Sequence, residues 1–184
     1  DYCFGLCICQ DMWEEEPVLE NCRAGAEIIL VLNASPYSYS KHQKRLEIAK
    51  ALAKKNKITL VYLNMVGGHD EMVFDGGSFV VSQNAQVVEQ MPFFKEAVLT
   101  VDLSDLNQEK KVSYKPSYAE EVSQALCLGI YDYVHKNSFK KVLLGLSGGI
   151  DSSLTAVLAT RALGVENVLS IYLPSKHSSQ LSLE

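Results

Sequence analysis

A glycine-rich turn between an apolar run and a helical run constrains the fold more than any other feature of this sequence. The turn spans residues 147–153 and is Ser-Gly-Gly-Ile-Asp-Ser-Ser. The apolar run at 142–146 predicts a buried parallel strand, and residues 154–159 predict a helix. The first backbone N–H groups of a helix lack internal partners, and the helix dipole favours negative charge there. The turn is therefore a predicted phosphate site on a parallel α/β sheet.

The spacing within the turn differs from that of two common phosphate-binding motifs. A Walker A loop ends in Gly-Lys-Ser/Thr, and this sequence has no lysine between Lys141 and Lys176. A dinucleotide fingerprint needs G-x-G-x-x-G, which Gly145, Gly148 and Gly149 do not form. The turn instead resembles the S-G-G-x-D-S loop of enzymes that split ATP into AMP and pyrophosphate.

Composition excludes several classes of function. The net charge of −5 without a basic stripe argues against a nucleic-acid partner, and no apolar run is long enough to cross a membrane. The five cysteines are odd in number and widely spaced, which favours reduced thiols in the cytoplasm over a disulfide framework. No spacing of His and Cys residues is that of a metal site, so no metal ligands are predicted among them.

The alternation of strand and helix patterns in the first hundred residues predicts a layered α/β unit. The predicted elements are strands at 2–9, 28–32 and 58–63, helices at 17–24 and 41–55, a hairpin over 74–90, and a strand at 97–103. A polar stretch without strong periodicity follows at 104–117 and is interpreted as a linker.

The last third of the sequence predicts a second, incomplete α/β unit. Its elements are a helix at 118–137, the strand at 142–146, a helix from the turn to Gly164, and a strand at 168–173. The sequence therefore predicts a first domain at 1–103, a linker at 104–117 and a second domain at 118–184.

Cys9 ends the first predicted strand, directly before a turn and a helix. A helix start favours a thiolate, so this cysteine is a candidate nucleophile. By itself the position is weak evidence, because free cysteines are usually small buried hydrophobic residues.

Several motifs resemble one family, the glutamine-dependent NAD synthetases. In the first half they are C-Q-D-M-W at 9–13, N-A-S-P at 33–36 and V-G-G-H-D-E-M-V-F-D-G-G-S-F at 66–79, which are similar to its nitrilase-type glutaminase domain. The loop at 147–153 and L-P-S-K-H-S-S at 173–179 resemble the start of its synthetase domain. The resemblance implies an α/β fold: the C-terminal half of a nitrilase-type α/β sandwich joined to the start of a Rossmann-like ATP-pyrophosphatase (PP-loop) domain.

The resemblance also implies the chemistry. Cys9 would attack the side-chain amide of glutamine, and Ser35 and Lys41, in an S-P-x-x-x-x-basic stretch, would hold that substrate. Ammonia would then amidate ATP-adenylated deamido-NAD to give NAD, with Asp151 acting through Mg²⁺. The residues expected to bind ATP are Gly145, Leu146, Ser147, Gly148, Gly149, Ile150, Asp151 and Ser152. Lys176 and His177 would lie near the nucleotide.

Two departures from the family's pattern bear on activity. Gln10 stands where the family usually has Glu, and the printed sequence starts eight residues before Cys9, whereas the family's catalytic Glu and Lys come well before the cysteine. The expectation is a central piece of a longer, homo-oligomeric enzyme, inactive when isolated. Two alternatives are another PP-loop amidotransferase, such as a GMP or asparagine synthetase, and a non-catalytic nucleotide-binding remnant.

Overall fold

The computed structural model describes residues 2–104, 106 and 116–172. These residues form two compact units. The first consists of the described parts of Asp1–Gly67 and Phe74–Tyr118, and the second of Gly68–Val73 and the described part of Ala119–Glu184. Within the described ranges, no helix is long and apolar enough to span a bilayer.

The first unit is built on a five-stranded mixed sheet. Strands β1 (Phe4–Ile8), β2 (Ile28–Asn33) and β3 (Thr59–Asn64) are parallel. Strands β6 (Phe79–Val81) and β7 (Val87–Gln90) extend the sheet in antiparallel fashion, in the order β1-β2-β3-β6-β7. The three predicted strands are thus confirmed, although β1 is shorter than the predicted 2–9 and β3 is shifted by one residue.

Helices α1 (Glu15–Arg23) and α2 (Lys41–Asn56) pack on one face of this sheet. Pro17 lies in the first turn of α1, where its missing N–H costs no helical hydrogen bond. The hydrophobic core fills the space between helices and sheet; it includes Cys7, Val18, Ile29, Val31, Ala49, Ala53, Leu60, Tyr62 and Val81. The strands alternate, so that β1 buries Gly5 and Cys7. The apolar sequence of residues 2–9 is typical of a buried strand, but only one face of β1 is buried, and Leu6 and Ile8 on the other face are exposed.

A second hairpin precedes β6 and differs from the prediction. Strands β4 (Val66–His69) and β5 (Met72–Asp75) pair with each other, whereas the sequence pattern assigned residues 74 and 75 to the β6–β7 hairpin. Gly76 and Gly77 both have φ of +62°, which turns the chain between β5 and β6. The hairpin of β6 and β7 itself is confirmed.

Gly77 is required by both backbone conformation and packing. A Cβ at this position would clash with the ring of Phe93. Gly77→Ala is expected to lower the free energy of unfolding by roughly 2–5 kcal/mol, the sum of left-handed strain and overpacking. Urea unfolding measures the loss. Gly25→Ala is the matched control, because Gly25 has φ of +94° but no atom within 4 Å of the point that a Cβ would occupy. Equal losses in the two variants would contradict the packing argument.

The predicted strand at 97–103 does not form. Residues 97–102 have no regular secondary structure, and Val98 is 99% exposed. Leu99 and Val101 instead line a small cavity beside Leu63 of β3. Alternating apolar residues indicate a half-buried surface rather than backbone pairing, which explains the error.

The second unit contains α3 (Tyr118–Lys136), β8 (Val142–Leu146), α4 (Ile150–Leu163) and β9 (Val168–Tyr172). Strands β8 and β9 are parallel and form a two-stranded sheet. Helices α3 and α4 are linked by a hydrogen bond from Arg161 Nη1 to Ser123 Oγ at 3.0 Å. These elements confirm the predicted order. The predicted burial of β8 was wrong, since Leu143 is 67% exposed: no described element covers the part of the sheet face on which this side chain lies.

The tip of the β4–β5 hairpin packs on α3 within the second unit. Asp132 Oδ2 accepts the Gly68 N–H at 2.6 Å, and Lys136 Nζ donates to the Gly68 carbonyl at 2.6 Å. A Cβ on Gly68 would lie 3.1 Å from the Cα of Gly129, so the two backbones approach closely. No local pattern in the sequence predicts this contact, because the hairpin and the helix are about 60 residues apart.

Candidate functional site

The carboxyl ends of three parallel strands meet at one edge of the first unit's sheet. Ile8 of β1 is in register with Leu32 of β2, and Asn33 of β2 with Asn64 of β3. Cys9 follows β1 directly, so it belongs to this edge. Ligands of open α/β sheets bind outside the carboxyl ends of the strands, which makes this edge the candidate site.

Cys9 has an unusual backbone conformation. Its φ is +47°, in the left-handed region, and it begins a short 3₁₀ helix, Cys9–Met12. The Asp11 carboxylate accepts the Ile8 N–H at 2.7 Å, which fixes the turn. A non-glycine residue in this region costs roughly 1–2 kcal/mol, and such strain clusters at functional sites. The Cys9 side chain is half-buried, whereas that of Cys7 is buried in the core.

Ser35 lies on the loop after β2 and is almost fully buried. Its backbone N–H donates to Asn64 Oδ1 at 2.9 Å. Arg45 Nη2 donates to the Ser35 carbonyl at 2.9 Å and to the Ser35 hydroxyl at 3.0 Å. The loop is therefore held by side chains from β3 and α2.

Arg45 also forms a buried ion pair. Its Nη1 lies 2.8 Å from each carboxylate oxygen of Asp75, and both side chains are nearly inaccessible to solvent. Asn64 Nδ2 donates to Asp75 Oδ1 at 3.1 Å and also faces the Ser35 carbonyl at 3.3 Å. The Ser78 hydroxyl accepts the Asn64 backbone N–H at 2.9 Å. We call Ser35, Arg45, Asn64, Asp75 and Ser78 the buried polar network.

Sequence reasoning missed four members of this network: Arg45, Asn64, Asp75 and Ser78. The sequence does contain one indication of Arg45: this residue precedes Ala49 by one helical turn and thus lies on the apolar stripe of α2. A charged residue on a buried stripe needs a charged partner. The single carboxylate of the Phe-Asp-Gly-Gly run at 74–77 was the available candidate.

Lys41 begins α2 and lies on the same loop as Ser35. Its Nζ donates to the Pro36 carbonyl at 3.2 Å, and Arg45 Nη2 donates to the same oxygen at 3.1 Å. Ser35 and Lys41, the two residues predicted to bind glutamine, thus lie on one short segment, residues 35–41. The ammonium group has three donors, so this contact leaves capacity for a ligand.

Tyr62 lies on β3 and is stacked on Phe79, with ring centroids 4.7 Å apart. Burial raises the pKa of its hydroxyl to about 12, while the nearby Arg45 guanidinium and Ser35 hydroxyl oppose this shift. The phenol therefore stays protonated over the physiological range and can act as a neutral hydrogen-bonding group at this edge.

His42 lies on α2 and is expected to make the first unit sensitive to acid. Its ring packs edge-on against Phe93, with centroids 4.5 Å apart, and burial lowers its pKa to about 4. Arg45 lowers the pKa further, whereas Asp75 and Gln90 oppose the shift. Between pH 6.5 and about 4 the unfolded chain binds a proton that the folded chain does not, so stability falls as pH falls through this window.

His42→Phe is expected to remove this acid sensitivity. The phenylalanine ring has no proton to gain and suits the aromatic surroundings. Between pH 7 and pH 5, the free energy of unfolding of the variant should therefore fall by up to about 2 kcal/mol less than that of the wild type. Urea unfolding at both pH values measures the difference. His69→Gln is the control, since His69 is exposed, and it should keep the wild-type dependence. An unchanged pH dependence in His42→Phe would contradict the assignment.

The predicted phosphate loop connects β8 to α4 in the second unit. Gly148 has φ of +77°, and Gly149 is the N-cap of α4 with φ of −83°. The hydroxyls of Ser152 and Ser153 each donate to the Gly149 carbonyl at 3.0 Å. The Ser147 and Ser152 hydroxyl oxygens are 3.2 Å apart. The strand–turn–helix predicted from the sequence is therefore confirmed.

Gly149 is not required by the fold of the loop. Its φ is accessible to any residue, and the nearest atom to a Cβ there is Ser147 Oγ at 3.4 Å, an ordinary contact. At Gly145, likewise, a Cβ would have nothing within 4 Å. The open space at both positions is what a loop that receives a ligand against its backbone needs.

The predicted residues fall into two groups. Cys9, Ser35 and Lys41 lie in the first unit. All eight predicted ATP residues, 145–152, lie in the second, at the end of β8, in the turn and at the start of α4. Lys176 and His177 lie outside the described residues. In the part of the chain that the structure describes, no cluster of three His, Cys, Asp or Glu residues could hold a metal ion.

Comparison with known proteins decides the family. The family model for carbon–nitrogen hydrolases matches residues 1–111. The chain belongs to the carbon–nitrogen hydrolase family. A second model, NAD synthase, matches residues 122–184, so this member of the family carries a second type of domain after the first. The expected pairing of a nitrilase-type and a PP-loop synthetase fold is confirmed, while the boundaries at 103 and 118 stay predictions.

Proteins of known function match nearly the whole chain. The chain is 43% identical to a glutamine-dependent NAD(+) synthetase of Synechocystis and 40% identical to one of Acinetobacter baylyi, each over 98% of its length. It spans only 35% and 34% of these relatives, about a third of their length. A solved synthetase from Acinetobacter baumannii, in complex with ADP, is 38% identical, with a TM-score of 0.91 over 98% of this chain and 35% of that one.

Proposed function

We propose that the protein to which this chain belongs is a glutamine-dependent NAD synthetase. The observation that carries the proposal is the combination of two sites in one chain. A cysteine in a left-handed turn follows a parallel strand, and a glycine-rich loop precedes a helix in a second unit. The chain is 43% identical to a glutamine-dependent NAD(+) synthetase over 98% of its length, which supports the same pairing of two sites.

At the first site, Cys9 Sγ is the proposed nucleophile. It attacks the side-chain carbonyl carbon of glutamine, ammonia leaves, and water hydrolyses the resulting thioester to glutamate and the free thiol. Ser35 and Lys41 are proposed to hold the substrate. The family's catalytic glutamate and lysine precede its cysteine, and we assign neither role to a residue of this chain. An isolated chain of this length is therefore expected to be inactive.

At the second site, the backbone N–H groups and hydroxyls of residues 145–152 are proposed to bind ATP phosphates. The deamido-NAD carboxylate attacks the α-phosphorus and pyrophosphate leaves. Ammonia then displaces AMP and gives NAD. Asp151, an exposed carboxylate in the first turn of α4, suits a Mg²⁺ ion that is bound through one carboxylate and substrate phosphates, where it would neutralise phosphate charge.

Two further proposals concern the cellular compartment and the oligomeric state of the enzyme. All five cysteines are free, which suits the reducing conditions of the cytoplasm. A homo-oligomer without nucleic-acid or membrane partners is proposed; light scattering of the full-length protein tests the assembly.

The test uses the full-length protein with ATP, deamido-NAD and glutamine labelled with ¹⁵N at the side-chain amide. Labelled NAD, AMP and pyrophosphate in equal amounts are the expected products. Replacing deamido-NAD with xanthosine monophosphate or aspartate should give no amidated product. Amidation of either alternative acceptor would favour another PP-loop amidotransferase. ATP binding without any turnover would favour a non-catalytic remnant.

A further inference from the structure

Most hydrogen bonds of the buried polar network converge on one loop, the segment that follows β2. The Arg45 side chain is fully inaccessible to solvent and holds Asp75 with Nη1, while Nη2 donates to the loop at Ser35 and Pro36. One guanidinium thus connects a carboxylate on β5 to the segment that follows β2. A planar group with several fixed donors is suited to such a link, because its geometry sets the positions of all its acceptors.

The network fixes the backbone around Ser35 from several directions. Asn64 accepts the Ser35 N–H at 2.9 Å, and the Ser35 carbonyl accepts from Arg45 at 2.9 Å. The next carbonyl, that of Pro36, accepts from both Arg45 and Lys41. Because Arg45 can only donate, the Ser35 hydroxyl oxygen is an acceptor toward it, and the hydroxyl hydrogen points elsewhere.

A contribution to stability does not explain why Arg45 and Asp75 form a buried ion pair. A buried ion pair contributes little net stability, since the desolvation of both charges offsets their attraction, and apolar replacements of similar volume are often neutral or stabilising. Its geometric precision is a property that an apolar pair cannot supply.

We infer that Arg45 and Asp75 are positioning residues for glutamine: the Asp75 carboxylate orients the Arg45 guanidinium, which holds Ser35 and Pro36 in the conformation that receives the substrate. This inference rests on the proposed function of the same edge. It adds that affinity for glutamine depends on an ion pair that the substrate does not touch.

The test separates positioning from folding in the full-length protein. Arg45→Met with Asp75→Leu removes both charges and keeps apolar volume, so the variant should fold. Its KM for glutamine is expected to rise by about tenfold or more, as loss of charge-assisted hydrogen bonds at the loop predicts, while the rate with ammonium chloride stays within about twofold of the wild type. Thermal unfolding reports whether the fold is kept.

The control removes a different ion pair of the same unit. Lys55 and Glu15 are paired at the surface, so Lys55→Gln with Glu15→Gln should leave KM for glutamine unchanged. A folded Arg45→Met, Asp75→Leu variant with wild-type KM for glutamine would overturn the inference. If that variant fails to fold, Arg45→Lys decides, because it keeps a charge opposite Asp75 and removes the planar guanidinium that reaches Ser35 and Pro36: a raised KM supports positioning and a wild-type KM refutes it. Failure of the proposed function is seen separately, as a wild-type protein that makes no NAD from glutamine.

Discussion

Replacing Cys9 with alanine is expected to abolish NAD synthesis from glutamine and to spare synthesis from ammonia. The variant lacks the thiol that forms the thioester, so the rate with glutamine should fall by about 10³-fold or more. Ammonia enters the second reaction without Cys9, and that rate should be unchanged. NAD formation by the full-length protein, measured with glutamine or with ammonium chloride as the only nitrogen donor, checks both expectations.

Cys3→Ala is the matched control for this experiment. Cys3 is an exposed thiol near the start of β1, so its loss should leave both rates at the wild-type level. Alanine at position 9 adopts the same left-handed backbone at a similar cost as cysteine, so the Cys9→Ala fold should persist. Full glutamine-dependent activity in Cys9→Ala would refute the nucleophile assignment.

Replacing Gly149 with valine is expected to abolish NAD synthesis from both nitrogen donors. A side chain at this position would fill the space against the backbone where the loop is proposed to hold phosphate. The chain itself tolerates the change, because Gly149 has an extended backbone, which suits a β-branched residue, and only Ser147 Oγ lies near its Cβ position. Affinity for ATP should fall by about 100-fold or more, as loss of several charge-assisted hydrogen bonds predicts.

Calorimetric titration of the full-length variant with ATP measures this loss. Thr160→Val introduces the same side chain three turns along α4 and should bind ATP like the wild type. Unchanged thermal unfolding in both variants would show that the loop, and not the fold, has been altered. Wild-type ATP affinity in Gly149→Val would rule out a phosphate role for this loop.

Local sequence patterns predicted the features that depend on local physics. The apolar runs at 28–32 and 58–63 became β2 and β3, and the Ser-Gly-Gly turn became the connection between β8 and α4. In each case the strand pattern or the turn residues suffice to define the element. The position of Cys9 after a parallel strand followed from the same reasoning.

Long-range features could not be predicted in this way. The buried pair of Arg45 and Asp75 joins residues 30 positions apart, and no local pattern encodes which carboxylate lies opposite the guanidinium. The exposed side chains of β8 and the unpaired segment at 97–102 depend on which other elements pack or pair with them, which periodicity does not report. The left-handed conformation of Cys9 is likewise set by its surroundings, since cysteine itself disfavours it.

The backbone at Cys9 also bears on how this sequence would change in evolution. At φ of +47°, glycine would relieve strain that cysteine carries, so selection for stability alone would favour glycine there. Stability and the proposed reactivity therefore favour different residues at position 9: glycine would suit the backbone, and only cysteine supplies the thiol. Such an opposition between stability and activity is common at functional positions.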